Sequence, residues 1–373
     1  MRVLFLGKYD FDDVPGGIER YSKLFLNNLP KEITPLVVYF NVTSETTLTR
    51  KADYSVVKVG VWKTIASTAI SFSLINKLRD IFKTFIPEIV FIQCPNPMMH
   101  LAYLFVPKGR HKLIINWHSD IVRQRVLLKL YQPFVNHLLR KADAVIVHSH
   151  ELLKSSQLSS CDPGKIHIIP LGVEAPVIKQ NAVGKKWESK FKLFACGRHV
   201  RYKGFDLLLK VISQLPDDVV LLLGGTGPET ESLKALAKSL RIENRVEFLG
   251  FVDEGDLGAY LSSCDVYCFP SISQNEAFGI AQVEAMLLGK PVVGFELFNG
   301  TTFVNKDKET GLVVENGNLE QYANAILQLK KDVPFKLKLG LQARKRAEAL
   351  FDVNAMVSRT VSVFKNCGRG RSL

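Results

Sequence analysis

Two doubly wound α/β halves are what this sequence predicts. Three observations carry that expectation: the length, a regular alternation of short apolar runs with amphipathic stretches, and one polar break near the middle. At 373 residues the chain exceeds one ordinary domain of roughly 150 residues and suits two. It is 47% apolar and 23% charged, with a mean hydropathy of +0.08. That is the composition of a globular chain with sizeable cores, and it excludes wholesale disorder.

The first series of apolar runs is Val3–Gly7, Leu36–Phe40, Ile89–Cys94, Leu113–Trp117, Ala144–His148 and Ile166–Leu171. The second is Lys192–Gly197, Val219–Gly225, Val246–Gly250, Val266–Phe269, Pro291–Phe295 and Leu312–Val314. Rich in Val, Ile, Leu and Phe, and too short for helices, they mark strands buried on both faces of a parallel sheet. Helical patterns lie between them, as over Phe205–Gln214, Glu229–Leu240 and Phe278–Leu288. From Glu174 to Lys190 the alternation stops in a polar stretch with Pro176, Gly184 and several lysines. The expected domains are therefore 1–175 and 191–350, with a linker over 176–190 and a C-terminal helix and basic tail over 351–373. The tail Lys365-Asn366-Cys367-Gly368-Arg369-Gly370-Arg371 is expected to fray. Two Rossmann-like halves would share a cleft, with ligands beyond the carboxyl ends of the strands.

Lys and Arg outnumber Asp and Glu 49 to 36, a net charge of +13 and a pI near 9.4. Such a balance asks for an anionic partner: nucleic acid, a membrane surface or a phosphorylated substrate. Residues 1–180 hold 23 basic and 14 acidic side chains, the remainder 26 and 22, so the first half is the basic one. Within it Ile65, Ala69, Phe72, Ile75, Leu78 and Phe82 fall at helical spacing, flanked by Trp62, Lys63, Lys77, Arg79 and Lys83. This predicts a core-facing helix or, alternatively, a face resting on an anionic membrane. Aromatic residues are not interleaved with arginines in any patch, which counts against nucleic acid. No stretch approaches the roughly 18 apolar residues of a membrane span, and Met1–Lys8 holds too short an apolar run for a signal peptide. A cytoplasmic protein, at most peripheral on the inner face of the plasma membrane, is expected. The six cysteines are scattered. Cys264-x3-Cys268, the one close pair, has no second pair or histidines beside it, so free thiols are expected and not a zinc site.

The chemistry concentrates in a few loops. Gly16-Gly17-Ile18-Glu19 opens a helix after the first strand, letting a phosphate or sugar approach backbone N–H groups, though a tight turn explains the glycines equally well. Asp10-Phe11-Asp12-Asp13 in that loop resembles a D-x-D metal motif, but loop acids are ordinarily solvated and no metal is assigned. In the second half Gly197-Arg198 follows a strand and Lys203-Gly204 opens the next helix. A bidentate guanidinium, an ammonium and helix dipoles together stabilise a pyrophosphate. Downstream, Glu276 lies in a strand-to-helix loop and Glu284 about two helical turns on, about 12 Å apart if all is helical. That is too far for two carboxylates sharing one glycosidic bond but suits the two ends of an elongated ligand. No G-x-G-x-x-G with an acid about 20 residues later opens either half, which counts against a dinucleotide enzyme.

Taken in order, Gly-Gly-Ile-Glu, Gly-Arg-x4-Lys-Gly, Glu-x7-Glu and Gly289-Lys290-Pro291-Val292-Val293 resemble the family-4 retaining glycosyltransferases of the GT-B fold, from about residue 3 to 330. The resemblance implies C-terminal helices packing back toward the first domain. It implies a sugar transferred from a nucleotide diphosphate sugar with retention and without metal. Arg198 and Lys203 would clamp the diphosphate, Glu276 would hold sugar hydroxyls, Glu284 the ribose, and Ala277, Phe278, Gly279 and Ile280 would line the donor, the last two through backbone N–H groups. Gly16 and Gly17 would close on phosphate or sugar, and His118, in Asn116-Trp117-His118-Ser119-Asp120, would stand beside the reacting centre. Where many relatives carry a paired glycine, this chain has Asn299-Gly300-Thr301-Thr302-Phe303-Val304-Asn305, similar to a subgroup of bacterial surface polysaccharide and O-antigen assembly. The implied donor is GDP-mannose or another nucleotide diphosphate sugar. The implied acceptor is a saccharide or lipid-linked oligosaccharide. The alternatives are a UDP-sugar donor (GlcNAc, glucose or galactose), a sugar-nucleotide epimerase and a non-catalytic nucleotide-sugar-binding protein.

Overall fold

The computed structural model describes residues 1–14, 16–65, 68–107, 109–121, 125–178 and 187–369. It contains two compact units, Met1–Gly172 with Val353–Leu373, and Val173–Asp352. Residues 179–186 of the expected linker and 370–373 of the tail lie outside the described residues.

Unit 1 begins β1 (Arg2–Leu6), α1 (Gly17–Asn27), β2 (Thr34–Phe40), β3 (Thr47–Arg50), β4 (Ser55–Val59), β5 (Lys63–Ile65), β6 (Thr68–Ile70) and α2 (Leu74–Thr84). It continues β7 (Ile89–Cys94), α3 (Pro97–Leu104), β8 (Lys112–Trp117), α4 (Arg125–Lys141), β9 (Ala144–Val147) and β10 (Ile166–Ile168). The sheet order is β10-β9-β8-β7-β1-β2-β4-β3, parallel except for β3 against β4. Central β7 is buried at all six positions, as a strand covered on both faces must be.

Unit 2 runs β11 (Phe191–Cys196), α5 (Phe205–Ser213), β12 (Val219–Gly224), α6 (Thr230–Ser239), β13 (Val246–Gly250), α7 (Glu254–Ser263) and β14 (Val266–Phe269). After these come α8 (Ile280–Leu287), β15 (Val292–Phe295), α9 (Gly300–Val304), β16 (Gly311–Val314), α10 (Leu319–Lys331) and α11 (Val333–Leu350). Its six strands are ordered β13-β12-β11-β14-β15-β16 and pair in parallel throughout. The order turns at β11/β14, the kind of switch point where such sheets bind ligands. The chain then re-enters unit 1 as α12 (Val353–Arg369). There Phe364 packs 5.0 Å from Phe91 and 6.2 Å from Phe25, ring centre to ring centre.

Two expectations are corrected. The stripe from Trp62 to Phe82 is not one helix: β5 and β6 form a hairpin and only Leu74–Thr84 is helical. Thr64, Ile65, Thr68 and Ile70 are β-branched, a composition that favours strand over helix. Of the stripe, Ala69, Leu78 and Phe82 are buried while Ile65 and Phe72 are exposed. The tail does not fray from Lys365, because helix continues to Arg369 and Lys365 Nζ pairs with Glu32 at 3.1 Å.

Candidate active site

Three strand-to-helix loops of unit 2 meet at the carboxyl ends of β11, β12 and β14. After β11 the chain makes a short 3-10 turn over Arg201–Lys203 and enters α5 through Gly204. Gly204 has φ of +66°, and a Cβ there would stand 2.1 Å from the Pro270 carbonyl oxygen. Only glycine lets this turn press against the loop that follows β14. The contact brings the Lys203 ammonium onto the Glu276 carboxylate, whose Oε2 also accepts from Ser271 Oγ at 3.4 Å. Both side chains are largely shielded, 17% and 14% exposed. Burial alone would push the Lys203 ammonium down, but the Glu276 carboxylate outweighs it and holds the group above its ordinary value. Arg198 is exposed at the same loop and enters none of the ion pairs among the described residues. The candidate clamp therefore has one cation tied to the carboxylate and one free to reach.

The loop from Glu276 to Gly279 is held from behind. Asn299 Nδ2 donates to the Glu276 carbonyl at 2.7 Å, and a Cβ on Gly300 would fall 2.1 Å from the Ala277 carbonyl oxygen. Gln282 Nε2 donates to the Phe278 and Thr301 carbonyls at 3.4 Å each. Gly279, at φ +79°, caps α8, so the helix starts at Ile280 and not at Phe278. Glu284 consequently sits about one turn into the helix, not the two that the sequence suggested. Glu284 is buried. Burial pushes the Cys196 thiol up to about 12, with Glu284 adding to the rise and Lys203 opposing it. Glu284 and Lys203 thus share one electrostatic neighbourhood around the end of β11. Phe278 points its ring into the core, 5.5 Å from Phe351.

In unit 1, Gly16 is extended at φ −167°, a conformation open to any residue. A Cβ there would stand 2.4 Å from Glu19 Oε2, the far end of a flexible side chain, so any larger residue would displace the Glu19 carboxylate. Glu19 folds back over the start of α1 and is buried, which raises its carboxyl above the ordinary value despite its own backbone N–H and Lys8. Asp10, Asp12 and Asp13 are engaged by lysines, with Lys51 on Asp10 at 3.0 Å, Lys23 on Asp12 at 3.3 Å and Lys58 on Asp13 at 2.7 Å. His118 follows β8 and is buried. Its Nε2 lies 2.8 Å from Gln93 Oε1, and its ring is 4.7 Å from His148 and 4.9 Å from Tyr21. Burial, then His148, hold the imidazole well below its usual range, so it is neutral.

Sequence reasoning missed three contributors. Gly224-Gly225-Thr226-Gly227 ends β12 against the Arg198 loop: a Cβ on Gly225 would meet the Gly197 carbonyl at 1.9 Å, and one on Gly227 that of His199 at 2.4 Å. The glycine cluster between a strand and a helix was its visible signal. Asn299 and Gly300 were seen only as a departure from the family pattern. Gln93 and His148 carried no motif at all.

The family described as Glycosyltransferase Family 4 matches residues 15–175, and that of glycosyl transferases group 1 matches residues 178–346. The O-antigen chain mannosyltransferase C of Escherichia coli is 29% identical, over 98% of this chain and 98% of that protein. A D-rhamnosyltransferase of Pseudomonas aeruginosa is 31% identical, over 77% of this chain and 75% of that protein. Anabaena HepE, solved in complex with UDP, has a TM-score of 0.76 at 20% identity, over 98% of this chain and 100% of that chain. With matched family models spanning both units and two parallel-sheet units in the expected order, this chain belongs to the family-4 glycosyltransferases, with the GT-B fold.

Proposed function

We propose that the chain is a retaining, metal-independent hexosyltransferase that moves mannose from GDP-mannose, or a related nucleotide diphosphate sugar, to a saccharide or lipid-linked oligosaccharide in surface polysaccharide synthesis. The observation that carries the reading is the Lys203–Glu276 pair at the sheet's switch point, with exposed Arg198 beside it. A diphosphate leaving group develops negative charge, which Arg198 and Lys203 would offset, aided by the N–H groups of Gly279 and Ile280. Glu276 would accept from sugar hydroxyls and Glu284 from the ribose. On unit 1, Gly16, Gly17 and His118 would be the ligand-facing residues. The bond from sugar C1 to the phosphate oxygen breaks, and a bond to the acceptor oxygen forms on the same face. The acceptor's proton passes to the departing diphosphate. Trapping of a sugar on a protein side chain would refute this front-face route.

The preference for mannose is supported by the two relatives, one a mannosyl- and the other a D-rhamnosyltransferase. D-rhamnose is 6-deoxymannose, so the two sugars share every stereocentre of the ring. The UDP bound to HepE favours the second reading, a UDP-sugar donor. Thermal-shift titration with GDP, UDP and ADP decides between them: preferential stabilisation by GDP supports mannose chemistry, and by UDP overturns it. Arg198→Ala and Lys203→Ala should each abolish donor turnover, and retained activity in both refutes the clamp.

A cytoplasmic location on the inner face of an anionic membrane completes the reading. No helix among the described residues is long and apolar enough to cross a membrane. Trp62 and Phe72 stand 64% and 74% exposed with their rings 5.4 Å apart, and Leu130 and Phe134 of α4 are also exposed. Residues 54–79 and 121–142, which present these side chains, carry four and five Lys or Arg and no Asp or Glu. Lys58 among them is paired with Asp13 and Asp10; the remaining cations beside exposed apolar side chains suit an anionic lipid surface. Sedimentation with anionic phospholipid vesicles should fall sharply from low to high salt. Absent or salt-independent binding sinks this part of the reading.

A further inference from the structure

The carboxyl ends of β7, β8 and β9 hold a polar cluster of which the sugar-transfer scheme uses His118 alone: Gln93, Asn116, His118 and His148, with Tyr21 of α1 against them, all buried. Gln93 and Asn116 are register partners on adjacent strands. Asn116 Nδ2 donates to Gln93 Oε1 at 2.7 Å, and His118 Nε2 approaches the same oxygen at 2.8 Å. Asn116 Nδ2 also lies 3.1 Å from His118 Nε2, but its hydrogen on that side is given to Gln93 Oε1 at the shorter 2.7 Å. The nearest partner of Nε2 is the Gln93 oxygen. An amide oxygen only accepts, and a bare ring nitrogen 2.8 Å from it would set two lone pairs against each other. His118 Nε2 therefore carries the proton. His148 is fixed by the same logic, its Nδ1 donating to the Ile169 carbonyl at 2.8 Å. With Nε2–H committed to Gln93, the one ring nitrogen of His118 left for a ligand is Nδ1, and it can only accept.

We propose that Gln93 is a positioning residue that presents His118 to substrate as a neutral imidazole with a bare Nδ1, selecting a ligand that offers a hydroxyl donor there. The inference rests on the reading that His118 meets substrate. The titratable side chains in ring contact with His118 are His148, beyond β9, and Tyr21 of α1. Asp120, two residues on, is occupied by Trp117 Nε1 at 3.0 Å and Ser155 Oγ at 2.7 Å. Gln93 and Asn116 are uncharged. Among the described residues no carboxylate is in ring contact with His118 to draw a second proton onto it, whereas a glutamate at 93 would supply one.

The test is a pair of measurements on the full chain. Nitrogen-15 NMR of histidine-labelled protein, with Asn substituted for His118 to assign its signals, should show one protonated and one bare ring nitrogen, the proton on Nε2, unchanged from pH 8 to 6. In Gln93→Glu the carboxylate stabilises imidazolium, so His118 should take up a proton within that range. The acid limb of kcat/KM should move up into that range; a limb at about pH 7 means roughly a tenfold loss at pH 6. Gln93→Leu, which removes the acceptor without adding charge, should mix the two tautomers and leave the acid limb in place. A proton on Nδ1 in the wild type, or ordinary histidine titration of His118, overturns the proposal, as does a Gln93→Glu profile identical to the wild type. Full activity in His118→Asn refutes instead the catalytic reading of His118, while the tautomer result stands on its own.

Discussion

Asn299→Asp separates the two jobs of one side chain. Asn299 Oδ1 caps α9, accepting from Thr301 N at 3.0 Å and Thr301 Oγ1 at 2.8 Å, while Nδ2 donates to the Glu276 carbonyl at 2.7 Å. Aspartate keeps the cap, and a carboxylate suits a helix start. It loses the donor and sets an anionic oxygen against a carbonyl oxygen. A lost hydrogen bond is worth about 1 kcal/mol, and the oxygen–oxygen repulsion raises the total cost of the native loop position to about 1–3 kcal/mol. At 1.4 kcal/mol per factor of ten, donor KM should rise roughly fivefold to a hundredfold if Glu276 contacts the sugar. Affinity for the nucleoside diphosphate alone should change far less, because that end of the ligand does not use Glu276. Initial rates against donor concentration, calorimetry with the diphosphate and a thermal melt check all three. A donor KM within twofold of wild type, with an unchanged melting temperature, would show that the loop needs no support from Asn299.

Three further outcomes follow from the geometry. Gly204→Ala forces a side chain into left-handed backbone and within 2.1 Å of the Pro270 carbonyl, so denaturant melting should show a loss of about 2 kcal/mol or more; an unchanged midpoint would refute the close approach. Glu19 is raised by burial, so the folded state holds its proton more tightly and stability falls as pH climbs from the ordinary carboxyl range through the raised value. Glu19→Gln should therefore melt above wild type at pH 8, with the gap closing toward pH 4, and no gap at pH 8 would contradict the burial. His100 and His148 are depressed to about 3 and about 4 by burial, so protons bind the unfolded chain first. Stability is intact above about pH 6.5 and should drop by roughly 3 kcal/mol from pH 7 to 5; denaturant melts at those two values would refute this by coinciding.

The parallel strands were legible because a strand buried on both faces must be apolar throughout. Ala144–Val147, Val219–Gly224 and Val266–Phe269, buried at every position, needed no tertiary information. The edge of unit 1 was not legible: Thr47–Arg50 is exposed at every position, so no hydrophobic pattern marks it. The hairpin at Lys63–Ile70 was hidden because its residues also satisfy helical spacing, and only packing decides between periods of two and 3.6. At the site, charged residues in glycine-bounded loops stood out in the chain, but their pairing did not. That Lys203 meets Glu276, 73 residues later, depends on Gly204 pressing against Pro270. Gln93 and Asn116 lie inside strands where their neighbours are apolar, and their shared role appears only once register places them side by side.

The return of the chain from Val353 into unit 1 gives synthesis an unusual order. Unit 2 is one continuous stretch, whereas unit 1 waits for a segment that emerges only after all of unit 2. Contacts between α12 and α1 or β8 span hundreds of residues, so they raise contact order and form late. The second unit can therefore finish folding while the first still exposes Phe25 and Phe91, the rings that Phe364 covers. Until then the nascent first unit carries an open aromatic face, where chaperone capture and aggregation would compete with docking of the final helix.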